Sequence, residues 1–299
     1  MGEGGTPSWV TELDAEQWAE VKRLVEEALT RHGCSFRWDE PVGVIHAVHP
    51  RLGNVQVGLG NLVGSLARGA QAEWKRTVAH WARVLFAPRQ AEPDLSDLGE
   101  VRPLLRIRLW NDAYLPALDQ IVALPVMPGV SAVLCVDTPD MALSVPREQV
   151  EKWGVTPEEA LSMALEPTLA EPATSDTLRL PEGPVVVAME SDGLYVTTRA
   201  LVLQRWVGSR FGALVAIPNR HVLLFHPITD GGAVAALYAM VAMARGAHAD
   251  GPGALVPDVF WWTPGRYMRV EVVEDEESLQ VHVPEELGRV LAEAAGPET

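Results

Sequence analysis

One local order recurs five times along this chain: strand, short turn, strand, helix. The expected stretches are 42–86, 133–165, 185–207, 214–245 and 268–295. A lone hairpin is marginal in water, and a helix laid over one face lets it bury apolar area. Connections this short favour antiparallel pairing within each stretch. The order therefore predicts an α+β fold of mainly antiparallel sheets built from repeated strand-turn-strand-helix units. No residues match from unit to unit, so the recurrence is architectural and not a solenoid repeat.

In the first unit, strands over 44–48 and 55–59 flank a turn at 49–54 and lead into a long helix over 61–86. Leu66, Ala70, Trp74, Val78, Trp81 and Leu85 share one face of that helix at three- and four-residue steps. The second unit runs through the apolar Val133-Leu134-Cys135-Val136, a turn at 137–140 and a strand over 141–145. Its helix is announced by Thr156-Pro157-Glu158-Glu159, with a hydroxyl at the N-cap, Pro at the first helical position and Glu closing a capping box. In the third, Asp192-Gly193 between the apolar runs 185–189 and 194–198 is a hairpin signal. The fourth turns at 218–220 between strands over 213–217 and 222–225, followed by a helix over 232–244. The fifth turns through the acidic 274–278 and ends in a helix opened by Pro284-Glu285-Glu286.

An amphipathic helix precedes the first unit, capped by Asp14 with Gln17 and stopped by Gly33. The polar, Pro-bearing stretch 87–100 reads as a connector. It separates two parts, an N-terminal α+β part at 8–87 and a C-terminal α+β part at 101–295, which contacts between them would join into one body. Further loops are expected at 167–184 and 246–258.

At 299 residues and 47% hydrophobic, the chain is able to bury a full core. It contains no apolar run of membrane-spanning length, and MGEGGTPSWV is no secretory signal. Cys34 and Cys135 are the two cysteines, too few and too far apart for a disulfide framework, so a reducing cytoplasm is expected. The net charge of −16 is uneven: residues 271–299 hold nine acids against Arg289 alone, a net −8 and half the imbalance. Nucleic-acid binding is disfavoured, because phosphate contacts need clustered Lys and Arg. The acidic end suits solubility, or a basic protein partner.

Several segments carry a family resemblance. They are Ser35-Phe36 before the first hairpin, Val101-Arg102-Pro103-Leu104-Leu105-Arg106, and the block from Val133 through Asp137 to Trp153 with the helix after Thr156. Asp192-Gly193-Leu194-Tyr195, the run from Ala216 through Asn219-Arg220-His221 to Leu223, and Pro257-Asp258-Val259-Phe260 come next in order. Across 34–275 this co-linear set resembles the YtpQ-like family of bacterial proteins. His221 departs from it, standing where the family pattern has an acid, and the acidic C-terminus lies outside it. The resemblance implies a cytosolic bacterial α+β protein and transfers no catalytic residue.

The densest polar group in the C-terminal part is Asn219-Arg220-His221 with His226 and Asp230, at a strand–turn–strand corner. Arg220 has the forked donors to bind a carboxylate or phosphate, and His221 is a candidate base. Arg220, His221 and Asp230 are therefore candidate ligand residues, with Arg106 and Asp137 as outlying ones. The same residues also fit a plain turn beside strand histidines. His46 and His49 lie three apart, on opposite faces of a strand, with no third ligand at useful spacing, so no metal is expected. Gly231-Gly232 lacks the nucleotide-binding fingerprints, GxSxG and HExxH are absent, and no cofactor is expected. Adjacent Trp261 and Trp262 point to opposite faces of a strand, so either one is exposed as a protein contact or one lies in the core and the other covers a loop. The run 234–244 is apolar nearly all round, expected to be buried on most sides or packed on another subunit.

Two functions fit these residues. One is a non-enzymatic binding or adaptor protein that contacts a protein partner or a second copy of itself. The other is a binder of a small anionic ligand, or an enzyme, that uses the polar cluster at 218–230.

Overall fold

The computed structural model describes residues 6–7, 9–10, 13–87, 93–114, 120–138, 142–181, 183–250, 253–274 and 279–296. Contacts divide the chain into two units, Met1–Ala91 and Glu92–Thr299, and the division falls inside the polar connector.

The first unit opens with α1 (Ala15–Arg31). Asp14 accepts from the Gln17 amide at 2.8 Å, and the Gln17 side chain accepts from the Asp14 amide at 3.0 Å, so two of the donors left open at the helix start are satisfied. Strands β1 (Ser35–Asp39), β2 (Val44–His49) and β3 (Gly53–Gly58) form an antiparallel sheet in that order. The expected long helix over 61–86 is corrected to two, α2 (Gly60–Arg68) and α3 (Trp74–Leu85). The break is at Gly69, whose extended backbone leaves the helix, and the Trp74 indole donates to the Leu66 carbonyl at 2.8 Å, replacing a helical partner. Leu66, Trp74 and Val78 still share the core with Trp18, Val21 and Val25 of α1.

The second unit holds two larger sheets. β4 (Leu105–Asn111), which comes after the short helix α4 (Leu98–Val101), pairs along one edge of β6 (Val130–Asp137). β5 (Ala123–Met127) and β7 (Ala142–Ser144) take successive parts of β6, so they share its other edge. β4 is left with a free edge. There the Ile107 amide donates to the Thr168 hydroxyl at 2.9 Å, and the Ile107 carbonyl accepts from the Thr198 hydroxyl at 2.8 Å. After α5 (Arg147–Lys152), Thr168 comes from α6 (Pro157–Leu169), which has the expected capping box. α6 runs past Pro167, so the loop expected from 167 begins later; a proline in the last turn removes only one helical donor.

The second sheet is six-stranded and antiparallel at every pairing. Its strands are β8 (Thr174–Arg179), β9 (Val185–Glu190), β10 (Ala213–Asn219), β11 (Val222–Pro227), β12 (Val259–Thr263) and β13 (Arg266–Arg269), in the order β13-β12-β10-β11-β9-β8. The third expected hairpin is corrected. β9 is paired on both edges, by β11 and by β8, so no edge remains for a strand over 194–198. That segment instead turns into a 3-10 helix over Val196–Arg205, and the missing partner strand β8 comes from the expected loop.

Both faces of this sheet are covered. Leu214, Ala216, Leu224 and Trp261 pack with Leu237 and Met240 of α7 (Ala233–Asp250) on one face. Val215, Ile217, Phe225 and Trp262 pack with Ile107 of β4 and Ala164 of α6 on the other. The expectation that one of Trp261 and Trp262 is exposed is corrected: they are 5% and 4% exposed, on opposite faces. Their alternation is as expected, but each face has its own cover, and the Trp261 indole donates to the Phe211 carbonyl at 2.9 Å. On α7, Val234 and Tyr238 stay 45% and 51% exposed. The last hairpin, β14 (Glu271–Glu274) and β15 (Leu279–His282), leads into α8 (Glu285–Ala295), which adds Leu287 and Leu291 to the α7 core. Residues 275–278 of its turn lie outside the described residues. Among the described residues no helix is long and apolar enough to cross a membrane.

Candidate functional site

The corner between β10 and β11 is shaped by a bulge. Ala216 pairs with Leu224 but Asn219 pairs with Val222, so β10 carries one extra residue around Ile217-Pro218. Pro218 has no amide to give a ladder, which suits it to this irregular place. Buried Asn219 then holds the turn: its side chain accepts from the His221 amide at 2.9 Å and donates to the Ala247 carbonyl at 2.8 Å.

Arg220 is held from two sides. Its amide donates to the Gly253 carbonyl at 3.0 Å, and its stem lies so close to Gly253 that a Cβ there would fall 2.6 Å from Arg220 Cδ. With φ at +68°, Gly253 has a conformation that suits glycine alone. Arg220 Nε lies 2.9 Å from His221 Nε2 and His221 Nδ1 lies 2.9 Å from the Ser191 carbonyl. A guanidinium only donates, so Nε2 is the acceptor, the proton sits on Nδ1, and His221 is a neutral imidazole with both nitrogens engaged.

Alternation on β4 sends Leu105, Ile107 and Leu109 into the core and leaves Arg106 and Arg108 on the other face. Arg106 Nε bonds Glu171 at 2.8 Å, and its Nη1 donates to the carbonyls of Pro103 and Leu105. Arg108 lies over the Trp110 ring, 4.8 Å from its centroid, and its Nε is buried with no hydrogen-bond partner among the described residues. Across the ladder Arg106 faces Cys135. Burial pushes the Cys135 thiol up to about 12, against the pull of Arg108 and Arg106. Burial also raises the Tyr195 hydroxyl, with Cys135 and the Asp137 carboxylate adding to the rise. Tyr195 is 5% exposed, and its hydroxyl makes no well-formed hydrogen bond although Asp137 is near enough to act on it. Burial lowers the Arg108 pKa against the charge of its acidic neighbours, and it lowers Arg220, which also feels the like charge of Arg108.

Arg106, Asp137, Arg220 and His221 are thus gathered in one region, although 31 residues separate Arg106 from Asp137 and 83 separate Asp137 from Arg220 in sequence. Asp230 is not part of it. Its carboxylate accepts from the Gly232 amide at 2.8 Å at the start of α7, beyond the opposite end of β11 from His221. Sequence reasoning misses Arg108 and Tyr195. A signal for Arg108 is present, as the second of two arginines alternating with strand hydrophobes. Tyr195 gives none, because its segment reads as a strand and folds as a turn.

Beside this group lies an open cleft of about 850 Å³, lined among others by Glu171, Glu190, Asp192, Tyr195, Asn219 and His221. Tyr195 and His221 belong to both, lining the cleft while touching the electrostatic field or the side chain of the arginines. Among the described residues no group of three His, Cys, Asp or Glu side chains is placed to hold a metal ion. His46 and His49 lie on opposite faces of β2, His49 turned into the core. No family model matches the chain, and neither the curated proteins nor the solved structures contain a match to it.

Proposed function

We propose that the second unit is a small-ligand-binding domain that takes its ligand in the cleft at the 219–222 corner and does not turn it over. The observation that carries this reading is the engagement of the two groups best suited to catalysis. His221 has both ring nitrogens in hydrogen bonds with the protein, so its ring is held as a fixed polar group at the cleft wall. The Cys135 thiol, held up at about 12 and buried, stays protonated and unreactive. Fixed polar groups around a cleft, each oriented by a second residue, are what recognition requires.

A thermal-shift screen of small neutral, cationic and anionic metabolites tests the reading. The expected result is a compound that raises the melting temperature of the protein and loses that effect in the double variant Tyr195→Phe/His221→Ala. A screen with no stabilising compound, or hits that bind the variant unchanged, overturns it.

A second reading, contact with another copy of the chain, is favoured by Val234 and Tyr238, exposed one turn apart on the apolar first part of α7. Light scattering of the protein and of Val234→Glu/Tyr238→Glu tests it. An assembly that the double variant dissolves is expected; a monomer at all concentrations rejects it. Under either reading we infer a cytoplasmic protein, supported by two buried free thiols, with no nucleic-acid or membrane partner. Kinship to the YtpQ-like family remains a proposal resting on the co-linear segments.

A further inference from the structure

We infer that β8 is a dimerisation edge, which pairs antiparallel with β8 of a second copy about a twofold axis at Thr177 and joins the two six-stranded sheets into one. The inference is independent of the cleft reading and uses a different surface from the α7 contact. The opposite end of the sheet is guarded. There β13 has four residues, begins and ends in arginine, and its Arg269 donates to the Pro128 carbonyl at 3.0 Å. β8 has six residues, all exposed, and no described element pairs with its outer edge. Strand edges are commonly blunted by proline, lysine, a bulge or a covering element. β8 holds no proline or lysine, and its register with β9 runs without a shift.

Hydrogen bonding on both sides of β9 fixes which residues of β8 are open to a partner. The Leu180 amide donates to the Pro184 carbonyl at 2.9 Å, one step along the ladder from Arg179 and Val185. On the far side of β9, the Ser191 amide donates to the His221 carbonyl at 3.1 Å, one step on from Glu190 and Val222. Bonding alternates along an antiparallel strand. Both bonds therefore turn the amides and carbonyls of Thr174, Asp176 and Leu178 toward β9 and leave those of Ser175, Thr177 and Arg179 facing outward.

A second copy of β8 suits that edge by its charge. Among the described residues neither Asp176 nor Arg179 makes an ion pair. The strand starts at an acidic end, where Thr174 pairs with Glu190 and Asp192 follows, and it ends in Arg179. Antiparallel self-pairing sets the basic end of each strand beside the acidic end of the other. Outward residues must meet outward residues, so the twofold axis passes through a residue. An axis at Asp176 or at Arg179 opposes like charges. An axis at Leu178 sets Ser175 against Pro181, which has no amide to donate. An axis at Thr177 pairs Ser175 with the partner's Arg179, Thr177 with the partner's Thr177 and Arg179 with the partner's Ser175. Each of these pairs exchanges two backbone bonds.

The test is sedimentation velocity of the full chain. Six residues a side make a small interface, so a reversible dimer is expected in the micromolar range, and runs from about 1 to 500 µM cover it. The Thr177 amide faces away from β9, so Thr177→Pro keeps the β8–β9 ladder and the melting temperature but loses the dimer. Thr177→Lys and Thr177→Glu, which set like charges together at the axis, also stay monomeric, and their equimolar mixture dimerises again. If Thr177→Pro does not fold, this charge pair decides. Val234→Glu/Tyr238→Glu keeps the dimer, which separates this edge from the α7 contact. A wild-type monomer throughout the range overturns the inference. So does a dimer that survives Thr177→Lys and Thr177→Glu, or one that their mixture does not restore.

Discussion

His49 accepts hydrogen bonds at Nδ1 from the amides of Arg51 and Leu52, each at 3.2 Å, and its ring is stacked on Phe86. Both bonds require an unprotonated Nδ1. Burial lowers the His49 pKa, helped by the nearby charges of Arg51 and His32. The fold therefore favours the neutral ring: its contribution is complete above the ordinary value of 6.5 and is lost as pH falls through the lowered one. The first unit should melt at lower temperature as pH drops below 6.5, and His49→Phe should flatten that slope. Melting curves of both proteins across roughly pH 5 to 8 check this. An equal slope in the variant removes His49 as the cause. At this scale the sequence is informative about direction and silent about surroundings. Period-two alternation places His46 and His49 on opposite faces and Trp261 and Trp262 likewise. That each tryptophan meets a covering layer depends on residues far away in sequence.

The edge of β4 shows what an element needs beyond its own pattern. A strand edge exposes donors and acceptors, and here two threonines from later elements satisfy one residue of it. The Thr168 hydroxyl accepts from Ile107 and donates to the Ala164 carbonyl at 2.6 Å, so Thr168→Val keeps the shape and strands a buried amide. A loss of about 1–3 kcal/mol is expected. Denaturant unfolding measures it, and a change within error would show that water reaches this edge. The helix caps at Asp14 and Thr156 are legible because a capping box is a local exchange between residues three apart. The break between α2 and α3 is not, because Trp74 and Leu66 lie on one continuous apolar stripe whether the helix bends or not. The Asp192-Gly193 turn misleads for a related reason. The dipeptide specifies a turn, but the structure of the segment after it is decided by β8 occupying the edge of β9.

Across the whole molecule, β10 is buried at every residue and β8 is exposed at every residue. A central strand covered on both faces reads as an unbroken apolar run, so β10 is found readily, whereas the polar β8 reads as loop. The two units have separate cores, the first drawn wholly from residues before the connector and the others from residues after it.

By itself the sequence determined the antiparallel α+β character, most hairpins, the capped helices and the polar corner at Asn219-Arg220-His221. These are properties of neighbours: alternation, turn chemistry and capping act over a few residues. The tertiary structure alone decided which strands share an edge, that both tryptophans are covered, and that Asp230 caps a helix far from His221. Those outcomes depend on pairing and packing between residues well separated in the chain, where no periodicity carries the information.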